Sequence, residues 1–152
     1  MEKPSRPLTF KGRSTSNQTA KVPNKGGRKP RVLFLCDGKS AWSGLAASIL
    51  KEKAGSFFDI YAATCNHSDH TTKKLLKKVD MESISCVEAM QLSSCNHLNY
   101  DYLIALTPSA LANTKALPLH DKFIPWNIED ESYPERQINE QLNYLLSLYL
   151  YQ

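Results

Sequence analysis

The chain has 152 residues, the length of about one domain and enough to bury a core. Its longest clear apolar run, Val32 to Cys36, falls well short of the roughly 20 residues a membrane span needs, and the basic N-terminus lacks an apolar stretch of its own. Neither a membrane span nor a secretory signal is therefore expected. The net charge of +4 is uneven: residues 1–31 hold nine Lys/Arg against one Glu, and residues 32–152 hold ten Lys/Arg against fourteen Asp/Glu.

Residues 1–30 mix Lys, Arg, Ser, Thr, Asn, Pro and Gly without periodicity and close on the breakers Asn24 to Pro30. Too little apolar surface exists there to offset the entropy of ordering, so a disordered basic tail is expected over 1–30 and a folded domain over 31–152. Such a tail can act as a solubilising linker, or it can bind nucleic acid or an acidic partner.

From Arg31 the texture changes. Val32 to Leu35 is a continuous apolar run, the signature of a strand buried on both faces. Leu45, Ala46, Ile49 and Leu50 then recur at helical spacing up to a stop at Gly55. Phe57 to Ala63 reads as a second strand. Asp69 is placed to cap a helix with Leu75, Leu76 and Val79 on one side and lysines on the other. Residues 84–98 read as a turn and a short helix. Tyr102 to Leu106 reads as a third strand, Ser109 to Lys115 as helix, and Phe123 to Trp126 as a short fourth strand. Glu135 to Tyr149 forms a last amphipathic helix with Ile138, Leu142, Leu145, Leu146 and Tyr149 inward. Strands alternating with helices predict an α/β fold: an open, doubly wound parallel sheet of about four strands with helices on both faces.

The cysteines Cys36, Cys65, Cys86 and Cys95 form no C-x-x-C pair. A reducing, cytoplasmic setting is the simplest expectation. Two Cys-Asn-His triplets, 65–67 and 95–97, fit no common zinc module, so no metal or other cofactor is expected.

In open α/β sheets ligands bind beyond the carboxyl ends of the strands. The first such loop here is Cys36, Asp37, Gly38, Lys39, Ser40, Ala41, Trp42 and Ser43, running straight into a helix. N–H groups curled around such a loop, with the helix dipole, favour an anion and a thiolate at the loop's base. A Walker-type nucleotide loop is excluded, because the glycine it needs five residues before Gly38 is Leu33, inside the strand.

The run from Arg31 through Cys36, Gly38, Ser43 and Ala46 resembles the opening of the low-molecular-weight phosphotyrosine phosphatases and the related thioredoxin-coupled arsenate reductases. Their loop reads Cys-x-Gly-Asn-x-x-Arg-Ser. Here Lys39 replaces the asparagine and Trp42 the arginine. Tyr100 to Leu111 is similar to the family's third-strand segment, and Ile128 to Tyr133 to its acid loop, with Glu131 in place of a proline. The resemblance covers about residues 31–151.

By that resemblance Cys36 is the nucleophile of a two-step phosphoryl transfer, Asp130 is the general acid and base, residues Asp37 to Ser43 cradle phosphate, and Tyr133 stands at the pocket rim. The arginine that clamps the equatorial oxygens is missing, and tryptophan supplies one donor and no charge. The arsenate-reductase relay cysteines correspond to Thr107 and Thr114, so that relay is absent at its usual positions. Three readings follow. The first is a weak or inactive phosphatase-fold protein that acts by binding a phosphorylated ligand or a protein partner the sequence does not identify. The second is an active cysteine phosphatase with a diverged loop. The third is a module whose tail binds nucleic acid or an acidic partner.

Overall fold

A computed structural model describes residues 28–38, 41–66, 71–95, 97–112, 117–129 and 131–150. The elements are β1 (Arg31–Cys36), α1 (Trp42–Ala54), β2 (Asp59–Thr64), α2 (Thr72–Lys78), β3 (Met90–Gln91), a 3-10 turn (Leu92–Cys95), β4 (Tyr100–Ala105), α3 (Pro108–Ala112), β5 (His120–Pro125) and α4 (Pro134–Leu150). The strands form one sheet in the order β3-β2-β1-β4-β5, and every neighbouring pair is parallel.

β1 lies at the centre. Val32 to Leu35 pair with Ile60 to Ala63 on one edge and Tyr102 to Ala105 on the other. Side chains alternate across a strand, so a strand covered on both faces must be apolar throughout. Val32, Phe34 and Cys36 join the core under α1 and α4, whereas Leu33 and Leu35 join a second core with Leu92, Cys95, Leu103 and Ala110. The continuous apolar run follows from this double burial.

The expected elements are present, with shifted ends. The second strand starts at Asp59, because Phe57 is half exposed and only Phe58 turns into the core. The fifth strand, β3, escapes sequence reading because it is two residues long; it joins the sheet through Ala63–Met90 and Thr64–Gln91 pairing. Asp69, expected to cap α2, lies outside the described residues. Thr71 is the N-cap, its Oγ1 accepting from the Lys74 N–H at 3.2 Å. Glu88 adds a carboxylate from downstream, accepting from the Thr72 and Lys73 N–H groups at 2.8 and 3.2 Å. Burial alone would raise its pKa, but those N–H donors outweigh it and hold the carboxyl below its usual range. In α4, Ile138, Leu142 and Leu145 are buried, with Leu146 and Tyr149 packed beside them as expected.

Arg28–Pro30, which composition assigns to the tail, are tied to the domain. Asp101, at the start of β4 and 3% exposed, accepts from the Arg31 N–H at 2.7 Å and from the Arg28 guanidinium at 2.9 Å. Pro30 O accepts from the Asp59 N–H at 2.9 Å.

Two local features fix the ends of α2. Gly44 in the first turn of α1 lies against α2, where an added Cβ would overlap the Thr72 side chain and fall 2.8 Å from Val87 O. At the far end of α2 the Met81 N–H bonds to Leu76 O at 2.7 Å and the Asp80 N–H to Lys77 O at 3.2 Å. This Schellman pattern places Asp80 at φ 63, a conformation glycine adopts at lower cost.

Two substitutions test this packing in urea titrations. Gly44→Ala should lower stability by about 1–3 kcal/mol, as overpacking does. Asp80→Gly should raise it by up to about 1 kcal/mol. The opposite signs would contradict the contacts described.

Candidate functional site

The strand order sets the site. From β1 the chain runs outward through β2 and β3, then returns to β4 on the other side of β1. The loops leaving β1 and β4 therefore diverge, and a crevice opens between them at the carboxyl edge. The Leu106 N–H bonds to Leu35 O at 2.9 Å and the Cys65 N–H to Cys36 O at 3.0 Å, so the end of β1 is held from both sides.

Cys36 ends β1 and is 1% exposed. Its thiol donates to Ser43 Oγ at 3.2 Å, and Ser43 is fully buried in the first turn of α1. Burial pushes the Cys36 thiol above its ordinary value. The Ser43 hydroxyl and the N–H groups of Ser43 and Gly38 oppose that rise, and the Asp37 carboxylate adds to it. The loop thus retains inward-facing donors at the sulfur without producing an acidic thiol.

Gly38 makes this curl feasible. Its φ is +98, and a Cβ there would sit 2.8 Å from Asn66 O. The Asn66 side chain donates to Asp37 O at 3.1 Å, tying the β2 loop to the turn. Asp37 is itself buried, and its carboxylate accepts a short hydrogen bond from the Ser109 hydroxyl across the crevice. Thr107 Oγ1 lies 3.2 Å from the same hydroxyl. Lys39 and Ser40 lie outside the described residues.

Ala41 is the N-cap of α1; it makes no side-chain cap, and the first turn holds no acidic residue. Trp42 begins the helix. It is half-buried, packing against the core beneath α1 while also lining the cleft. It neither stands free on the surface nor fills the crevice completely. Asp130 lies outside the described residues, but its neighbours Glu129 and Glu131 line the same cleft. Tyr133 is half exposed at the rim, with the Arg136 guanidinium 4.4 Å above its ring centre.

The cleft has a volume of about 810 Å³. Its described lining carries five carboxylates, from Asp37, Asp80, Glu129, Glu131 and Glu135, against two ammonium groups, from Lys74 and Lys78. Cys36 is not among the lining residues; Asp37 is. Sequence reading anticipates Asp37, Ala41, Trp42 and Tyr133 at one place. It misses Ser109 and Thr107, although the rule that selects the loop after β1 also selects the loop after β4. It also misses Asp80, and it reads Lys74 and Lys78 as the outer side of a helix. Cys65 donates to Ala110 O at 2.9 Å and Cys95 is buried in the second core. No group of three or more metal-ligating side chains occurs among the described residues. No described helix is long and apolar enough to cross a membrane.

No family model and no curated protein sequence matches this chain. Solved structures do. A thioredoxin-dependent arsenate reductase from Corynebacterium glutamicum superposes with a TM-score of 0.59 at 19% identity, over 85% of this chain and 66% of the reductase. This chain thus spans just under two thirds of that protein's length. A Drosophila arginine phosphatase matches with a TM-score of 0.57 at 17% identity, over 78% of this chain and 97% of its own. A low-molecular-weight protein tyrosine phosphatase from Streptococcus pyogenes matches with a TM-score of 0.52 at 17% identity, over 78% and 91%. The doubly wound parallel sheet of this chain is the fold shared by the low-molecular-weight tyrosine phosphatases and the arsenate reductases.

Proposed function

We propose that this chain is a phosphatase-fold protein with weak or absent phosphoryl-transfer activity, acting by binding a ligand in the switch-point cleft. The observation that carries this reading is Trp42, which lines the cleft at the position the resemblance assigns to the arginine clamp. During phosphoryl transfer, negative charge spreads over three equatorial oxygens, and a bidentate guanidinium balances it. An indole has one N–H donor and no charge. The loss of a comparable arginine costs roughly 10³- to 10⁵-fold in rate.

Two further features favour the same reading. The thiolate is the attacking species, and the Cys36 thiol is buried and shifted upward, so little of it is ionised near neutral pH. A phosphate entering the cleft would meet five described carboxylates and two lysines, an unfavourable balance for an anion.

An active, diverged cysteine phosphatase is the second reading, and the Cys36–Ser43 pair favours it. In that mechanism the Cys36 thiolate would attack phosphorus as the phenoxide left with a proton from Asp130. Water activated by Asp130 would then cleave the S–P bond and restore the thiolate. The retained donors around Cys36 suit this scheme, but the clamp it needs is missing.

Turnover of p-nitrophenyl phosphate separates the two readings. The wild-type chain should show trace activity at best, and Trp42→Arg should raise it by at least about tenfold, a fraction of what such an arginine contributes elsewhere. Robust wild-type turnover abolished by Cys36→Ser would overturn the proposal.

Alkylation tests the thiol directly. At pH 7 iodoacetamide should label the exposed Cys86 before the buried Cys36, as read by peptide mass spectrometry. Labelling of Cys36 should accelerate only above pH 9, because deprotonation of a raised thiol is postponed to alkaline pH. Preferential labelling of Cys36 at neutral pH would mark an activated nucleophile.

A further inference from the structure

We infer that the hydrogen bond between Asp37 and Ser109 is a latch that ties the β1 loop to the β4 loop and shuts Cys36 off from the cleft. The inference rests on the reading of this cleft as the site, and it concerns access to the sulfur rather than the survival of phosphoryl transfer. Cys36 is 1% exposed and is not among the lining residues. The next residue, Asp37, does line the cleft, with Thr107 and Ser109 from the β4 side. The latch therefore sits where the cleft comes nearest to the sulfur along the chain.

The two arms of the latch are built differently. On the β4 side Ser109 lies in the first turn of α3, directly after the strand. The sheet sets its position, because the Leu106 N–H is bonded to Leu35 O, and the Ala110 N–H closes the turn on Thr107 O at 3.2 Å. On the β1 side Asp37 is followed by Gly38 at φ +98. Glycine has the widest choice of backbone conformations, so the chain can swing there once the Asp37 side chain is released. Asp37 is held from two directions: the Asn66 side chain donates to its carbonyl at 3.1 Å, and the Ser109 hydroxyl donates to its carboxylate. A carboxylate only 7% exposed needs such donors, and hydrogen bonds to an ionised acceptor are the stronger kind. The same turn carries the Gly38 N–H that faces the sulfur, and the Asp37 carboxylate held there opposes ionisation of the thiol. Opening the latch relaxes both restraints. The Ser109 hydroxyl, with Thr107 Oγ1 3.2 Å away, is reached from the cleft. A hydrogen-bonding group that enters the cleft meets the latch first and can replace Asp37 at Ser109, which couples occupancy of the cleft to exposure of the sulfur.

Ser109→Ala and Ser109→Thr in the full-length protein test the latch: alanine removes the donor and threonine restores it. Two ratios are read. One is the iodoacetamide labelling rate of Cys36 relative to Cys95 at one fixed alkaline pH. The other is the hydrogen-exchange rate of the Gly38 amide relative to the Leu106 amide. Losing a hydrogen bond to a charged group shifts a local opening equilibrium roughly tenfold, so Ser109→Ala should raise both ratios by about that factor. Ser109→Thr should bring them back toward the wild type. Cys95 is buried in the second core and the Leu106 N–H belongs to the sheet, so general loosening of the fold accelerates these references too and leaves the ratios flat. Flat ratios in Ser109→Ala would overturn the inference, as would faster Cys36 labelling beside an unchanged Gly38 amide. Turnover of p-nitrophenyl phosphate by the wild type bears on phosphoryl transfer alone. An inert chain with flat ratios keeps the reading of weak or absent activity and loses the latch; an active chain with raised ratios does the reverse.

Discussion

β1 is hydrogen-bonded along both edges and covered on both faces, and the rest of the structure follows from that double burial. A strand so enclosed cannot carry a polar side chain until it emerges at its carboxyl end. There the chain changes from Leu35 and Cys36 to the buried carboxylate of Asp37, which needs and finds a donor in Ser109. The same enclosure puts β2 and β4 on opposite sides of β1, so the loops that follow part company and leave a crevice. The position of the cleft is thus a consequence of topology, and the chemistry in it is a consequence of a few side chains.

Those side chains support the proposed loss of phosphoryl transfer. The backbone around Cys36 keeps a curl that turns the Gly38 and Ser43 N–H groups toward sulfur, a positive-φ glycine included. Trp42 stands where the resemblance puts an arginine, and the described lining of the cleft holds five acidic residues against Lys74 and Lys78. Cys36 also belongs to the core, and its burial opposes ionisation. Burial outweighs the donors that face the sulfur, and the Asp37 carboxylate adds to it.

Much of this was legible in the sequence, and the parts that were not have physical causes. The apolar run at Val32 to Leu35 and the helical spacing at Leu45 to Leu50 announce the central strand and its following helix, because burial on both faces leaves a periodicity that can be read locally. The order of later segments places β4 and α4. β3 leaves no trace, since two residues cannot show a period. The hold of Asp101 on Arg28 escapes local reading, because the contact spans 73 positions in sequence. For the same reason Lys74 and Lys78 read as the outer side of α2. The close approach of Gly44 to Thr72 and Val87 packs that helix against α1.

The central claim is that the Cys36 loop no longer clamps a phosphate-like anion. The most direct measurement is a titration of the full-length protein with orthovanadate, followed through the backbone amide signals of Gly38 and Ser43. The account predicts no saturable shift up to roughly 10 mM, an affinity weaker than about −3 kcal/mol. Saturable movement of both amides in the micromolar range, abolished by Cys36→Ser, would contradict it.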